Sequence, residues 1–184
     1  MEWPLGNRQC FVGIKVGQPM NVQKAIETKH AVRLFTDQPV PAEVIDAILD
    51  AGRRSQSSKN TQPWQFVVVE NRETLVALSK TGDYAGHLAG AAFGLALAAP
   101  NTNPWTMYDL GQASAYMQLA AWELGVGSCI AAIYEPPAVQ TILNIPADYT
   151  VMCALSFGYP SPDNVTAKMG GRRPLSEITH REKW

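Results

Sequence analysis

Residues 109–124 have the pattern of a helix with a broad buried face. Their apolar side chains recur every three or four positions, as one face of an α-helix requires; they are Leu110, Ala113, Met117, Ala120, Ala121 and Leu124. The many alanines allow a neighbouring helix to approach closely, and Gly125 supplies a C-terminal stop. We predict that this helix belongs to one core that it shares with strands on both sides of it in the sequence.

Short apolar runs predict the strands of that core. Residues 128–133 and 151–157 are mostly apolar, as buried strands are. Residues 66–70 are so uniformly apolar that we expect this strand at the centre of a sheet. The run at 91–99 fits either a strand or a buried helix, with a strand favoured at its end, and residues 32–35 form a short extended segment.

Caps and periodicity predict four further helices. They cover residues 21–30, 41–54, 73–80 and 136–143. Helices and strands alternate irregularly around one core, so the fold class is α+β or mixed α/β. Residues 1–20 show no sustained period and are interpreted as an arm, whereas the chain from Tyr159 onward is rich in Pro, Gly and charge, which predicts a loop and a tail.

Composition argues against several classes of protein. The 184-residue chain has a net charge of −1 at pH 7, so it lacks the basic excess of a nucleic-acid binder. Its longest apolar stretch, residues 88–100, is too short to cross a membrane, which takes about 20 residues. Charged residues make up 17% of the chain, against about 25% in typical soluble domains, which indicates that some surface is buried against another subunit.

The cysteines indicate a reducing compartment. Cys10, Cys129 and Cys153 are widely spaced and form no C-x-x-C pair, and their odd number fits no disulfide framework. The N-terminus shows no basic segment followed by an apolar one, so no signal peptide is predicted. We therefore expect a cytoplasmic protein.

A polar loop is the first candidate for a ligand site. Residues 55–60 are polar or cationic and separate a predicted helix from an apolar strand, so they face either water or a polar ligand. Three short basic clusters, at residues 29–33, 53–59 and 168–173, hold eight of the fifteen Lys and Arg residues. If they converge, they form a strong site for a phosphate-bearing ligand, because guanidinium groups bind phosphate oxygens bidentately.

Other chemistries lack their usual residues. His30, His87 and His180 are isolated and have no carboxylate at ligand spacing, so we predict no metal site. The sequence contains no nucleophile elbow, no Walker phosphate loop and no complete dinucleotide-binding turn. Residues 125–127 resemble the opening of such a turn, but they follow a helix and are better interpreted as its cap.

Four motifs, in the right order, resemble those of the nitroreductase-like flavoproteins. They lie at residues 29–35, 57–64, 124–129 and 158–175. The first is similar to R-R-S-hydrophobic-R followed by x-F, and the second to P-S-x-x-N-x-Q-P-W, with Gln56 where Pro is common. The third resembles L-G-L-G-S-C, and the fourth resembles G-Y-P followed by R-K-P-L. The ordered set covers nearly everything from residue 21 to residue 177.

The resemblance implies an α+β, nitroreductase-like fold with a central, mostly antiparallel sheet flanked by helices. It places one FMN-binding domain at residues 21–184, ending in a C-terminal tail. It also implies an intertwined homodimer with two FMN sites at the interface. The expected reaction is ping-pong: NADH or NADPH reduces FMN and leaves, and an electron-poor acceptor such as a nitroaromatic or a quinone takes its place.

The resemblance also assigns residues to the FMN site. The phosphate, ribityl chain and pyrimidine edge would be held by Lys29, His30, Arg33 and Arg172, with Arg173 as a second choice for the phosphate. The flavin would be reached from the neighbouring subunit by Ser57, Ser58 and Asn60. The candidates are completed by Ala31, Gln62 and the backbone near the flavin N5 at Ala132 and Ile133. No side chain is expected to be an indispensable acid or base, because the flavin carries the chemistry.

Two departures from the family pattern bear on cofactor affinity. Ala31 stands where Ser is frequent, and Lys29 replaces an Arg with a point charge that lacks the planar fork. Three alternatives therefore stay open. The same fold could carry out other flavin chemistry, such as desaturation or flavin breakdown. The protein could instead be a flavin-binding or sensing module without turnover, or a structural dimer whose basic clusters bind stray anions.

Overall fold

The computed structural model describes residues 20–101, 104–133, 135–165 and 171–184. Within these ranges the sheet has four strands: β1 Gln65–Val69, β2 Phe93–Pro100, β3 Gly127–Ala132 and β4 Tyr149–Gly158. Their order is β1-β2-β4-β3, and every neighbouring pair is antiparallel. The arm expected at residues 1–20 lies outside the described residues except for Met20, and so does Lys168.

Helices cover both faces of this sheet. In the described residues they are α1 Val22–Thr28, α2 Ala42–Arg53, α3 Arg72–Leu78, α4 Trp105–Glu123 and α5 Pro136–Leu143. Side chains of α2 and α4 pack on one face, and those of α3 and α5 pack on the other. Strand β2 shows the alternation clearly, since Leu95 and Leu97 point to the first face and Ala96 and Ala98 to the second. The expected α+β class, with an antiparallel sheet flanked by helices, is confirmed.

The expectation that residues 66–70 form a central strand is wrong. This segment is β1, at the edge of the described sheet, and it pairs only with β2 there. The run is apolar because both of its faces contact helices: Phe66 and Val68 pack on the α2–α4 side, and Val67 and Val69 on the α3–α5 side. The hydrophobicity of a strand indicates whether its two faces are covered by other elements. Its position in the sheet depends instead on which of its edges form hydrogen bonds with neighbouring strands.

The helix predicted at residues 21–30 exists, but its apolar side chains are only partly buried. Asn21 caps it by accepting a hydrogen bond from the Lys24 backbone N–H at 2.8 Å. Ala25 is buried, whereas Val22 and Ile26 are 73% and 64% exposed. The ambiguous run at 91–99 is strand β2, and α4 begins at Trp105, four residues earlier than predicted.

Candidate functional site

The first basic motif lies directly against the third motif. Beyond α1 the chain runs beside β3, where Ala31 pairs in parallel with Ser128 and the Val32 N–H donates to the Ser128 carbonyl at 3.0 Å. A Cβ added at Gly127 would lie 2.7 Å from the Val32 side chain. Glycine in this motif is therefore explained by the close approach of the two segments.

Lys29 points towards α4 rather than into solvent. Its Nζ donates to Gln118 Oε1 at 2.5 Å, and Gln118 Nε2 donates to Ser114 Oγ at 3.1 Å. Burial lowers the pKa of Lys29, and the Cys129 thiol opposes that shift. The structure thus supplies a half-buried, hydrogen-bonded cation beside β3.

His30 and Arg33 face different surroundings. The His30 ring packs edge-on against Trp122 of α4, with ring centroids 4.8 Å apart, and its Nδ1 lies 3.1 Å from the Thr28 carbonyl oxygen. Arg33 is exposed, but its backbone N–H donates to Asn164 Oδ1 at 3.0 Å. The guanidinium is thereby presented from an anchored segment.

Arg33 opens onto a surface depression of about 480 Å³, here called the Arg33 depression. Its lining includes Arg33, Leu34, Tyr84, Gly86, His87 and Ile130. On β3, Ile130 and Ala132 are both exposed and share a face, because side chains alternate along a strand. A cation therefore stands beside an open apolar strand face, next to the segment that continues to Ile133.

Sequence reasoning missed the residues beneath this depression. His87 Nδ1 lies 2.7 Å from Ser156 Oγ, and Ser156 Oγ donates to the Cys129 carbonyl at 3.5 Å. Burial lowers the pKa of His87, and the nearby Arg33 guanidinium lowers it further. His87 carries no local signal because its contacts are to residues far away in the sequence.

The polar loop has an unusual backbone. A short 3₁₀ turn, Ser58–Asn60, is followed by Thr61, and three residues without the freedom of glycine have positive φ: Lys59 at 52°, Asn60 at 55° and Gln62 at 49°. The Gln62 N–H donates to Ser57 Oγ at 3.0 Å. Such conformations cost energy and persist only where the surroundings impose them.

This loop sits beside the first half of α4. The Ser58 N–H donates to the buried carboxylate of Asp109 at 3.3 Å. A second depression, of about 340 Å³, is called the Ser58 depression. Its lining includes Ser57, Ser58, Trp105, Tyr108, Asp109 and Gln112.

The two groups of candidates lie on different sides of α4. Asp109, which holds the loop, and Gln118, which holds Lys29, are nine positions apart on this helix. At 1.5 Å and 100° per residue, that spacing places them about 13 Å apart along the axis and roughly half a turn around it. One chain therefore does not bring the 29–33 segment and the 57–62 loop together.

Two cations of the second basic cluster have a structural role. Arg53 and Arg54 both donate hydrogen bonds to the carboxylate of Asp50. These bonds lower the pKa of Asp50, and the bond from Arg54 has the larger effect. The two arginines lie at the C-terminal end of α2, where Arg53 is the last helical residue and Arg54 the cap. Arg172 and Arg173 lie in the 171–184 stretch, which is exposed throughout.

Two further features concern metals and membranes. In the ranges that the structure covers, no three His, Cys, Asp or Glu side chains cluster closely enough to hold a metal ion. Among the helices described above, none has the length and hydrophobicity needed to span a bilayer.

Comparison with known proteins identifies the family of the chain. The family model described as "Nitroreductase family" matches residues 26–87 and 81–159. An Archaeoglobus fulgidus protein, provisionally named NADH dehydrogenase/NAD(P)H nitroreductase, is 31% identical over 170 residues, which cover 88% of this chain and 97% of that protein. A similarly named Methanothermobacter thermautotrophicus protein is 29% identical over 175 residues, or 90% of this chain and 88% of its own length.

A solved structure agrees with these sequence matches. An FMN-dependent nitroreductase from Clostridium difficile R20291 superimposes with a TM-score of 0.78 at 26% identity, covering 87% of this chain and 98% of that one. The resemblance carried by the four motifs is thereby confirmed. The chain belongs to the nitroreductase family.

Proposed function

We propose that this protein is an FMN-dependent oxidoreductase that takes reducing equivalents from NADH or NADPH. Three of its similar proteins carry names for such activities, and the one with a solved structure is named as FMN-dependent. The acceptor is an electron-poor small molecule such as a nitroaromatic or a quinone. The donor and the acceptor occupy the same site in turn, as a ping-pong reaction requires.

The observation that carries this proposal is the Arg33 depression. FMN combines a flat, largely apolar ring system with a polar pyrimidine edge and an anionic phosphate. The depression offers the open β3 face at Ile130 and Ala132 to the ring and the exposed guanidinium of Arg33 to a polar edge. Its volume of about 480 Å³ is in the range of small-molecule sites. The residues present therefore fit this cofactor.

Each candidate residue then has a role. Bound FMN supplies the hydride chemistry. Arg33 holds the pyrimidine edge, the backbone at Ala132 and Ile133 lies near N5, and Ala31 contributes backbone only. The phosphate and ribityl chain are held by Lys29, His30 and Arg172, with Arg173 as the second choice. Lys29 Nζ already donates a hydrogen bond to Gln118 of the same chain. Lys29 is therefore better suited to support the site than to be the main ligand of the phosphate.

A second copy of the chain completes the site. The 57–62 loop lies across α4 from the Arg33 depression, so Ser57, Ser58, Asn60 and Gln62 serve the flavin of the partner in our proposal. Exposed apolar side chains on α1 and α4 fit a dimer surface: Val22, Ile26, Tyr108 and Tyr116. Obligate interfaces commonly bury about 2,000–5,000 Å², and we place either residues 1–20 or the exposed 174–184 tail over the partner.

The remaining proposals concern organisation and location. We keep residues 1–20 as an arm and residues 21–184 as one FMN-binding domain. Cys129 and Cys153 are free and buried, and unpaired thiols suit the cytoplasm, where we place the protein.

Flavin spectroscopy tests this function directly. The purified protein should show flavin absorbance, or acquire it with FMN, and should bleach rapidly under anaerobic mixing with NADH or NADPH. Adding a nitroaromatic or a quinone should then restore the colour. Bound FMN that neither nucleotide bleaches would indicate a flavin-binding module without turnover, and failure to bind FMN would overturn the proposal altogether.

A further inference from the structure

A chain of polar groups runs beneath the Arg33 depression. His87 Nδ1 lies 2.7 Å from Ser156 Oγ, which donates to the Cys129 carbonyl at 3.5 Å. A contact of 3.5 Å is long for a hydroxyl donor, so either Nδ1 or Ser156 Oγ can carry the proton of the 2.7 Å bond. In an imidazolium, Nδ1 carries a proton and donates to Ser156 Oγ.

The other ring nitrogen, Nε2, is buried and has no hydrogen-bond partner. The hydrogen bonds of the ring therefore do not fix it in one protonation state. The Ile130 backbone favours the protonated ring, against the burial that disfavours it.

The neutral ring is favoured in the free protein, because burial lowers the pKa of His87 and Arg33 lowers it further. Tyr84 lines the same depression. On the β3 side, burial raises the pKa of the Cys129 thiol despite nearby Arg33 and Lys29, so Cys129 contributes no negative charge at neutral pH. A negative charge near Arg33 would offset the effect of Arg33 on the pKa of His87.

We propose that His87 takes up a proton from solvent when the bound cofactor is reduced and releases it on reoxidation. The inference rests on the proposed function. A hydride from NAD(P)H brings two electrons and one proton, the nicotinamide leaves oxidised, and the cofactor gains one negative charge. In the proposed site that charge would lie near Arg33, would offset the effect of Arg33 on the ring, and would favour the imidazolium form of His87. His87 thus balances charge without touching the acceptor.

Proton uptake by the FMN-loaded protein measures this step. Anaerobic reduction with one equivalent of NADH or NADPH, in weak buffer with a pH indicator near pH 7, should remove close to one proton per cofactor from solution. Hydride transfer alone removes none. His87→Gln should abolish the uptake, whereas His180→Gln, in the exposed tail, should retain it. Complete bleaching without uptake, or undiminished uptake in His87→Gln, would overturn the inference.

A second measurement needs neither a variant nor a nucleotide. The sequence has three histidines, so ring-labelled histidine gives a simple NMR spectrum of the FMN-loaded protein. Dithionite reduction should move the His87 ring signals from neutral imidazole to imidazolium positions. A ring that stays neutral in the reduced protein would contradict the inference. Absence of bound FMN, or of bleaching by both nucleotides, would instead contradict the proposed function.

Discussion

At the scale of single residues, Arg33 and Arg53 differ in what their guanidinium groups face. Arg33 lines the Arg33 depression, whereas Arg53 is paired with Asp50 at the end of α2. Hydrogen bonds to charged groups contribute about 1.5–3 kcal/mol, so Arg33→Ala should weaken FMN binding by roughly tenfold or more. Fluorescence titration with FMN measures this, and Arg53→Ala is the matched control that should bind as the unmodified protein does.

A second prediction at the residue scale concerns Gly127 and the contact between the first and third motifs. Gly127→Ala places a methyl group 2.7 Å from Val32, and overpacking of this kind costs about 1–3 kcal/mol. Thermal unfolding should therefore show a clear loss of stability. Gly111→Ala in α4, where a Cβ meets nothing within 4 Å, should not destabilise. Val32→Ala should recover part of the loss in the double variant, and strict additivity would argue against the contact.

The buried thiols predict a reactivity pattern. Burial raises the pKa of Cys153 from its ordinary 9.0 to about 12, and it raises that of Cys129 as well. Because the folded-state pKa of Cys153 is the higher one, its contribution to stability is complete below about pH 9 and is lost as pH rises towards 12. Ellman's reagent at pH 8 should leave both thiols unmodified until the protein is unfolded with urea. Rapid native modification of either would contradict their burial.

At the scale of elements, periodicity and composition identified what packs, and contacts between distant residues decided the rest. The stripe of α4 and the apolar runs of β3 and β4 were readable because local sequence sets them. The edge position of β1 was not, because it depends on which strands form hydrogen bonds. The partners of Lys29 and His87, namely Gln118 and Ser156, lie 89 and 69 positions away, so only the folded chain reveals them.

The prediction at the scale of elements concerns the stability of the polar loop. Lys59 adopts a left-handed conformation with φ at 52°, which costs about 1–2 kcal/mol for a residue with a side chain. Lys59→Gly should therefore raise the urea midpoint by an amount equivalent to about 1 kcal/mol. Lys24→Gly, within α1, should lower it, because glycine is about 1 kcal/mol less favourable than alanine in a helix. Equal losses in both variants would mean that the loop is not strained.

At the scale of the whole molecule, the proposed FMN site needs two chains. The 29–33 segment and the 57–62 loop are held on different sides of α4 by Gln118 and Asp109. In a two-fold dimer, each flavin takes the first from one chain and the second from the other. The exposed Ser58 side chain can be replaced by a larger one that blocks FMN binding. Ser58→Trp fills the Ser58 depression from the loop side.

The most direct test is a mixed dimer with one Arg33→Ala chain and one Ser58→Trp chain, purified through two different tags. Each parent dimer should bind FMN poorly at both sites. In the mixed dimer one site receives both altered parts and the other receives neither, so we predict one tight FMN site per dimer by titration. A mixed dimer that binds FMN no better than its parents would contradict a site built from two chains.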